Sequence, residues 1–210
     1  MSTFESILSN YSAVNTHYGT DKNTSHSYGK VYDMLFSQYS TLSSLLEIGF
    51  DGGASLLAYA EYFPHAKITG LDIEDNRLAQ VKTHPRIQTV IGDATQDSIV
   101  SSFQEAYDII IEDASHMLFH QVQHFHDYSP LVKPGGLYII EDVAENNMES
   151  LKEHLVDAAR ESQFDMFVVD LRNQKGRFDD ILFIFVKQLN TPSEQYKTVL
   201  HYLKNLSQTI

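Results

Sequence analysis

Two short apolar runs in this chain end in paired acids. Tyr107 to Ile111 leads into Glu112 and Asp113, and Leu137 to Ile140 leads into Glu141 and Asp142. Runs of this length bounded by turn residues read as buried parallel strands. In an open α/β sheet, ligands sit beyond the carboxyl ends of the strands, so both acidic pairs open onto one crevice. Carboxylates sharing a crevice repel one another, and a hard divalent cation relieves that repulsion. His116 follows Asp113 closely enough to face the same space. A divalent cation lowers the pKa of a bound hydroxyl, and an adjacent imidazole can take its proton.

Each of these residues also has an ordinary structural reading. Asp113, Glu141 and Asp142 suit N-caps of the helices that follow the strands. His116, His120 and His124 recur at helical spacing, which fits either a zinc-binding face or a face of structural histidines. Neighbours on a strand alternate sides, so Glu112 is expected to point away from the crevice. Phe63, Phe103, Phe119, Phe125, Phe183 and Phe185 read as core.

The elements that must hold these groups alternate regularly. Strands are expected near 45–49, 67–73, 86–92, 107–111 and 137–140, with helices near 54–62, 74–82, 96–103, 118–131 and 149–161. That rhythm means a parallel, doubly wound, Rossmann-like α/β sheet with helices on both faces. The apolar runs 164–171 and 181–186 are separated only by a polar loop, too short for a helical crossover, so they should pair antiparallel. The expectation is one domain over 1–210 with a seven-stranded, mostly parallel sheet whose last strand is antiparallel. Short helices and a lid-like segment would occupy 1–40, the core 41–190 and a closing helix 191–210. The lid is read from the polar stretch 15–29, which holds two histidines, two tyrosines, an aspartate and a lysine. Within it, Lys22, His26 and Tyr28 are the candidate groups over cofactor or acceptor.

The first strand turns at Glu47-Ile48-Gly49-Phe50-Asp51-Gly52-Gly53. Glycines there let backbone approach a ligand closely. Asp72, ending the second strand, is positioned to accept hydrogen bonds from ribose hydroxyls. Gly92-Asp93-Ala94 ends the third strand, where Asp93 can meet an adenine amino group. The dinucleotide pattern is not met, because Asp51 stands where its second glycine belongs. An acid there opposes a pyrophosphate but tolerates a cationic sulfonium ligand, which favours S-adenosyl-L-methionine over NAD.

Glu47-x-Gly49, Asp72, Gly92-Asp93-Ala94 and the closing antiparallel pair together resemble the class I S-adenosylmethionine-dependent methyltransferases. Within that group, several stretches are similar to the metal-dependent sugar O-methyltransferases of macrolide biosynthesis, of mycinamicin type. They are Tyr18-Gly19-Thr20-Asp21-Lys22 with His26-x-Tyr28, Asp113-Ala114-Ser115-His116 with His120-Gln121, Pro134-Gly135-Gly136 and Glu141-Asp142. The resemblance implies Asp113, Glu141 and Asp142 as Mg²⁺ ligands and His116 as general base. It implies a cofactor site of Glu47, Gly49, Asp51, Gly52, Asp72, Ile73, Asp93, Ala94 and Asp113, and a sugar acceptor, free, glycosidic or in a glycan. Asp51 and Ala54 depart from the more glycine-rich turn of such relatives, and this chain is shorter than they are. A catechol or other vicinal diol is an alternative acceptor, and a non-catalytic nucleotide-binding protein on the same fold is the alternative of another class.

The totals fit this reading. Across 210 residues the formal net charge is −13. That balance disfavours nucleic acid or an anionic membrane as partner. There is no cysteine, which excludes thiolate chemistry and sulfur-held zinc. No signal-peptide pattern precedes the first apolar residues, so a soluble cytoplasmic protein is expected. The number of subunits is left open, a homo-oligomer included.

Overall fold

The central strands are buried along nearly their whole length in the computed structural model, which describes residues 2–12, 18–39 and 41–207. They form one seven-stranded sheet of β1 (Ser44–Ile48), β2 (Lys67–Asp72), β3 (Ile87–Ile91), β4 (Tyr107–Glu112), β5 (Val132–Ile140), β6 (Phe164–Asp170) and β7 (Ile181–Lys187). Their order is β3-β2-β1-β4-β5-β7-β6. All pairs from β3 to β5 are parallel, and β7 runs antiparallel to both β5 and β6. The chain builds outward from β1 through β2 to β3, then returns to place β4 on the other side of β1. The carboxyl ends of β1 and β4 therefore flank the point where the strand order reverses, the usual ligand crevice of such sheets.

Alternating strand residues feed two cores. On one face Leu45, Ile109, Ile111 and Ile139 pack under α1 (Phe4–Asn10), α2 (Gly29–Ser37), α3 (Ala54–Tyr62) and α9 (Glu194–Ser207). On the other, Leu46, Ile48, Ile110 and Ile140 pack under α6 (Leu118–Tyr128) and α7 (Met148–Glu161). In α7 the buried positions Leu151, Leu155 and Ala159 recur every four residues, which gives one apolar stripe. Phe4 of α1 stacks on Tyr59 of α3 at 5.5 Å between ring centroids, tying the first helix to the core. Among the described residues, no helix is long and apolar enough to cross a membrane.

Several boundaries differ from the sequence expectation. The helix expected at 74–82 is only α4 (Ala79–Thr83), and that expected at 96–103 only α5 (Asp97–Val100). Residues after β2 are held instead by local hydrogen bonds, with Glu74 N donating to Asp72 and the Arg77 guanidinium to Asp75. β5 begins at Val132 and passes through Pro134-Gly135-Gly136, where its register with β4 shifts; a proline without N–H is tolerated at such an irregularity. The loop between β6 and β7 carries a short α8 (Arg172–Lys175). Phe119 is not core. It lies on the outer side of α6 and is 58% exposed. Residues 13–17, of which 15–17 with His17 belong to the expected lid, and 208–210 of the expected closing helix lie outside the described residues.

Candidate active site

The turn after β1 shapes the crevice floor. Gly49 adopts φ 86°, and a Cβ there would lie 2.1 Å from the Asp113 carbonyl oxygen, so this glycine lets the ends of β1 and β4 touch. Gly49 N donates to Leu71 O and Asp113 N to Ile48 O, extending the ladder past the strand ends. A Cβ on Gly52 would lie 2.2 Å from Tyr18 Cβ. Gly52, expected under a ligand, is occupied by the returning N-terminal segment instead.

Two cavities open above this floor, sharing Gly49, Asp72 and Ala114 as walls. The smaller, about 190 Å³, is apolar on its sides through Ile48, Leu71 and Ala94 and carries Asp72 and Asp93 at its rim. Ile73 hangs over it with 66% of its surface exposed, an apolar side chain that a flat ligand would cover. Asp72 accepts from Asp51 N at 2.7 Å and Glu74 N at 3.0 Å, so its carboxylate organises both turns around the cavity. Asp93 accepts from Thr95 N, and that bond holds its carboxyl below the usual range. Ser115 and His120, hydrogen-bonded at 2.6 Å, complete the wall; neither was singled out for cofactor contact. The larger cavity, about 480 Å³, is lined by Lys22, Asp113, His116 and Asp142.

The acidic strand ends meet where expected but do not act alike. Lys22 reaches out of the N-terminal segment into the protein interior, 2% exposed, with its ammonium 3.2 Å from Glu47, 2.6 Å from Asp113 and 2.8 Å from Glu141. Glu141 also accepts from Tyr32 OH, and Glu47 from Ser55 and Tyr59 hydroxyls. Burial alone would lower the Lys22 pKa, but the facing carboxylates, Asp113 first, raise it well above the ordinary value. Burial raises Glu141 and Glu47 despite the ammonium between them. Lys22, expected over cofactor or acceptor, lines the larger cavity as a buried counter-charge to these carboxylates. Glu141, expected among the cation ligands, has both oxygens engaged by Lys22 and Tyr32.

Asp113, His116 and Asp142 form the open corner. One ligand atom from each lies within 4.8 Å of the others. His116 Nε2 is 3.2 Å from Asp113 Oδ1, and its Nδ1 is 3.6 Å from Asp142 Oδ2. Burial would lower the imidazole pKa, but the bond and charge of Asp113, helped by Asp142, push it up to about 9. Asp142 is pushed up to about 6 by burial and by the charge of Asp113. Tyr28 donates to its Oδ1 at 2.6 Å, and His26 lies 3.3 Å away, backed by Asp180. His26 and Tyr28 therefore brace Asp142 rather than project toward an acceptor; both are buried. Tyr32, Asp179 and Asp180 were missed. The spacing of Tyr28 and Tyr32, one helical turn apart, was the available signal for the first.

His120 and His124 stack on α6 at 5.7 Å between ring centroids, and His116 stands apart from them. His116 precedes α6 in left-handed backbone, and His124 is buried on Glu112 at 3.0 Å. The helical zinc face does not form, and Glu112 points away from the corner as its strand parity requires. The corner fits a hard cation: Asp113 and Asp142 supply carboxylate oxygens beside the His116 ring. The smaller cavity fits a nucleoside, with apolar walls and two carboxylates that can accept from hydroxyls or an amino group.

This sheet order, with the antiparallel β7 between β5 and β6 and the crevice at the β1/β4 reversal, is the class I, Rossmann-like methyltransferase fold. The chain superimposes on the mycinamycin-pathway methyltransferase MycE, solved in complex with Mg and SAH, with a TM-score of 0.68 at 24% identity, over 91% of this chain and 56% of that one. Among curated proteins it is similar to demethylmacrocin O-methyltransferase of Streptomyces fradiae, 38% identical over 53% of this chain and 30% of the relative. It is also similar to 8-demethyl-8-alpha-L-rhamnosyl tetracenomycin-C 2'-O-methyltransferase of Streptomyces olivaceus, 31% identical over 60% of this chain and 35% of the relative. The chain thus spans about a third of the length of these curated relatives. No family model matches it.

Proposed function

We propose that this chain is an S-adenosylmethionine- and Mg²⁺-dependent O-methyltransferase acting on a sugar hydroxyl of a small-molecule glycoside. The observation that carries the proposal is the Asp113–His116–Asp142 corner opening into the cavity beside the Gly49 turn. The curated relatives are O-methyltransferases by name, and one acts on a rhamnosyl group.

Asp72 would take the ribose and Asp93 the adenine amino group, with Ile73 and Ala94 against the base. Asp113 and Asp142 would hold the cation, completed by water and acceptor oxygens, and Glu141 would steady the corner through Lys22. When bound, the cofactor supplies an electrophilic methyl group, and the cation lowers the pKa of a coordinated hydroxyl. His116 in its neutral form would take the acceptor's proton, a form favoured once a cation offsets the Asp113 and Asp142 charges that hold its pKa up, and Asp113 would orient the ring. No residue need become methylated, and positioning supplies much of the acceleration.

The test is transfer of labelled methyl from S-adenosylmethionine to a panel of deoxysugars, nucleotide sugars, glycosides and catechols, with and without chelator. Transfer to a sugar hydroxyl that is abolished by chelation is expected. Transfer that ignores the chelator, or none from any acceptor, would overturn the reading.

A further inference from the structure

Asp142 divides its two oxygens between two clusters. Oδ2 faces His116 in the open corner, and Oδ1 faces inward to His26 at 3.3 Å. The inner cluster is His26, Asp142 and Asp179, all three buried, with one ligand atom from each within 4.8 Å of the others. They come from the N-terminal segment, the end of β5 and the loop before β7.

The His26 ring is 1% exposed, and its Nδ1 makes no aligned hydrogen bond among the described residues. That nitrogen nevertheless lies 3.3 Å from Asp142 Oδ1 and 3.6 Å from Asp180 Oδ1. On the far side of the ring, Nε2 lies 3.6 Å from Asp21 Oδ2. A carboxylate behind one ring nitrogen holds the proton there and leaves the other as a lone pair, which is the usual support of a metal-binding histidine. A lone pair facing carboxylate oxygens is repelled unless a positive centre stands between them. The neighbouring donors leave room for one. Arg177 donates to both oxygens of Asp179 and Tyr28 to Asp142 Oδ1. An ionised carboxylate offers about four lone pairs, so these bonds orient the oxygens without exhausting them. Two ligand atoms on a tetrahedral Zn²⁺ with bonds of about 2.0 Å stand about 3.3 Å apart, the spacing found between His26 and Asp142.

We propose that His26 Nδ1, Asp142 Oδ1 and an Asp179 carboxylate oxygen form a second, inner metal site, which takes Zn²⁺ and clasps the N-terminal segment onto the end of β5. An imidazole nitrogen among carboxylate oxygens suits Zn²⁺ better than Mg²⁺. Three protein ligands leave the fourth position to water. Asp21 lies on the wall of the larger cavity, which gives the ion its way in. The site shares Asp142 with the proposed Mg²⁺ corner but does not depend on Mg²⁺ binding there, so the two can fail separately.

The experiment titrates Zn²⁺ by calorimetry into wild type held in millimolar Mg²⁺, and into Asp113→Asn, His26→Gln and Asp179→Asn. Wild type and Asp113→Asn should bind one Zn²⁺ per chain. His26→Gln and Asp179→Asn should lose it or bind it at least about a hundredfold more weakly. Zn²⁺ at about a hundred times its Kd should raise the Tm of wild type by on the order of 5 °C. Zn²⁺ that Mg²⁺ displaces, or that Asp113→Asn removes, has entered the outer corner and overturns the proposal. No Zn²⁺ in wild type also overturns it, and a proton then bridges His26 to the carboxylates. One Zn²⁺ per chain in a protein that takes up no Mg²⁺ would uphold the inner site and overturn the cation corner of the proposed function. If His26→Gln and Asp179→Asn do not fold, wild type labelled with ¹⁵N at histidine decides. Zn²⁺ should shift the Nδ1 signal of His26, and a shift confined to other histidines, or none, overturns the proposal.

Discussion

His116 Nδ1 lies 3.6 Å from Asp142 Oδ2, and both residues hold left-handed backbone, at φ 57° and 53°. Non-glycine residues adopt that region at a cost of about 1–2 kcal/mol each. The described residues contain two others outside glycine, Asp51 and Gln163, and Asp51 is in the cofactor turn. Three of the four strained positions thus belong to the candidate site. The neighbouring ladder bonds, such as Glu141 N to Glu112 O at 2.9 Å, hold the strand ends rigid enough to impose it.

Removing the base leaves binding intact. His116→Ala should lower kcat about 10²- to 10⁴-fold. His116 lies in the larger cavity and not among the walls of the smaller one, so S-adenosylhomocysteine affinity should change by less than about threefold, well under 1 kcal/mol. Single-turnover kinetics together with calorimetry check both halves.

The two acids ending β5 should respond differently to loss of charge. Asp142→Asn should weaken Mg²⁺ binding at least about tenfold, about 1.4 kcal/mol. Glu141→Gln should act mainly on stability, by about 3 kcal/mol, because it deprives the buried Lys22 of a partner. Calorimetry and urea unfolding of the two variants separate the effects.

Asp72 accepts backbone donors from both turns beside the smaller cavity. Asp72→Ala should cost about 1.5–3 kcal/mol of cofactor binding, read as a rise of roughly tenfold or more in the Kd for S-adenosylhomocysteine.

At the far end of the sheet, Asp108 accepts from Ser43 N at 2.8 Å, Ser44 N at 2.9 Å and Lys133 Nζ at 3.1 Å. Burial alone would raise its pKa, but the Ser43 bonds and the Lys133 charge lower it. The folded carboxyl therefore binds its proton less tightly than the unfolded one, whose pKa is near 3.9. Its stabilisation is present above that value and is lost as pH falls through the folded pKa. Asp108→Asn should cost about 2 kcal/mol at neutral pH, and the gap to wild type should shrink in acid. Urea unfolding across pH measures this.

The sheet was legible because its signals are local. Apolar runs, turn glycines and the short gap between β6 and β7 each specify an element without distant partners. Seven strands, their mostly parallel sense and the antiparallel β7 follow from them. The helix boundaries after β2 and β3 were not legible, because Asp72 and Asp93 spend their carboxylates on neighbouring backbone N–H groups and delay the helix. Within the site, Asp113, His116 and Asp142 were readable because each sits next to a strand end. The partnership of Lys22 with Glu47, Asp113 and Glu141 was not, since it joins positions as far as 119 residues apart. The segment looked like a lid by composition, and only its packing shows that its cations point inward.

The central claim is that a cofactor pocket and a cation corner lie side by side. Calorimetric titration with S-adenosylmethionine and S-adenosylhomocysteine, with and without Mg²⁺, tests it most directly. The account predicts binding of both nucleosides and a separate Mg²⁺ heat that Asp142→Asn removes. Absence of binding by either nucleoside would contradict it, and so would a Mg²⁺ heat unchanged in Asp142→Asn.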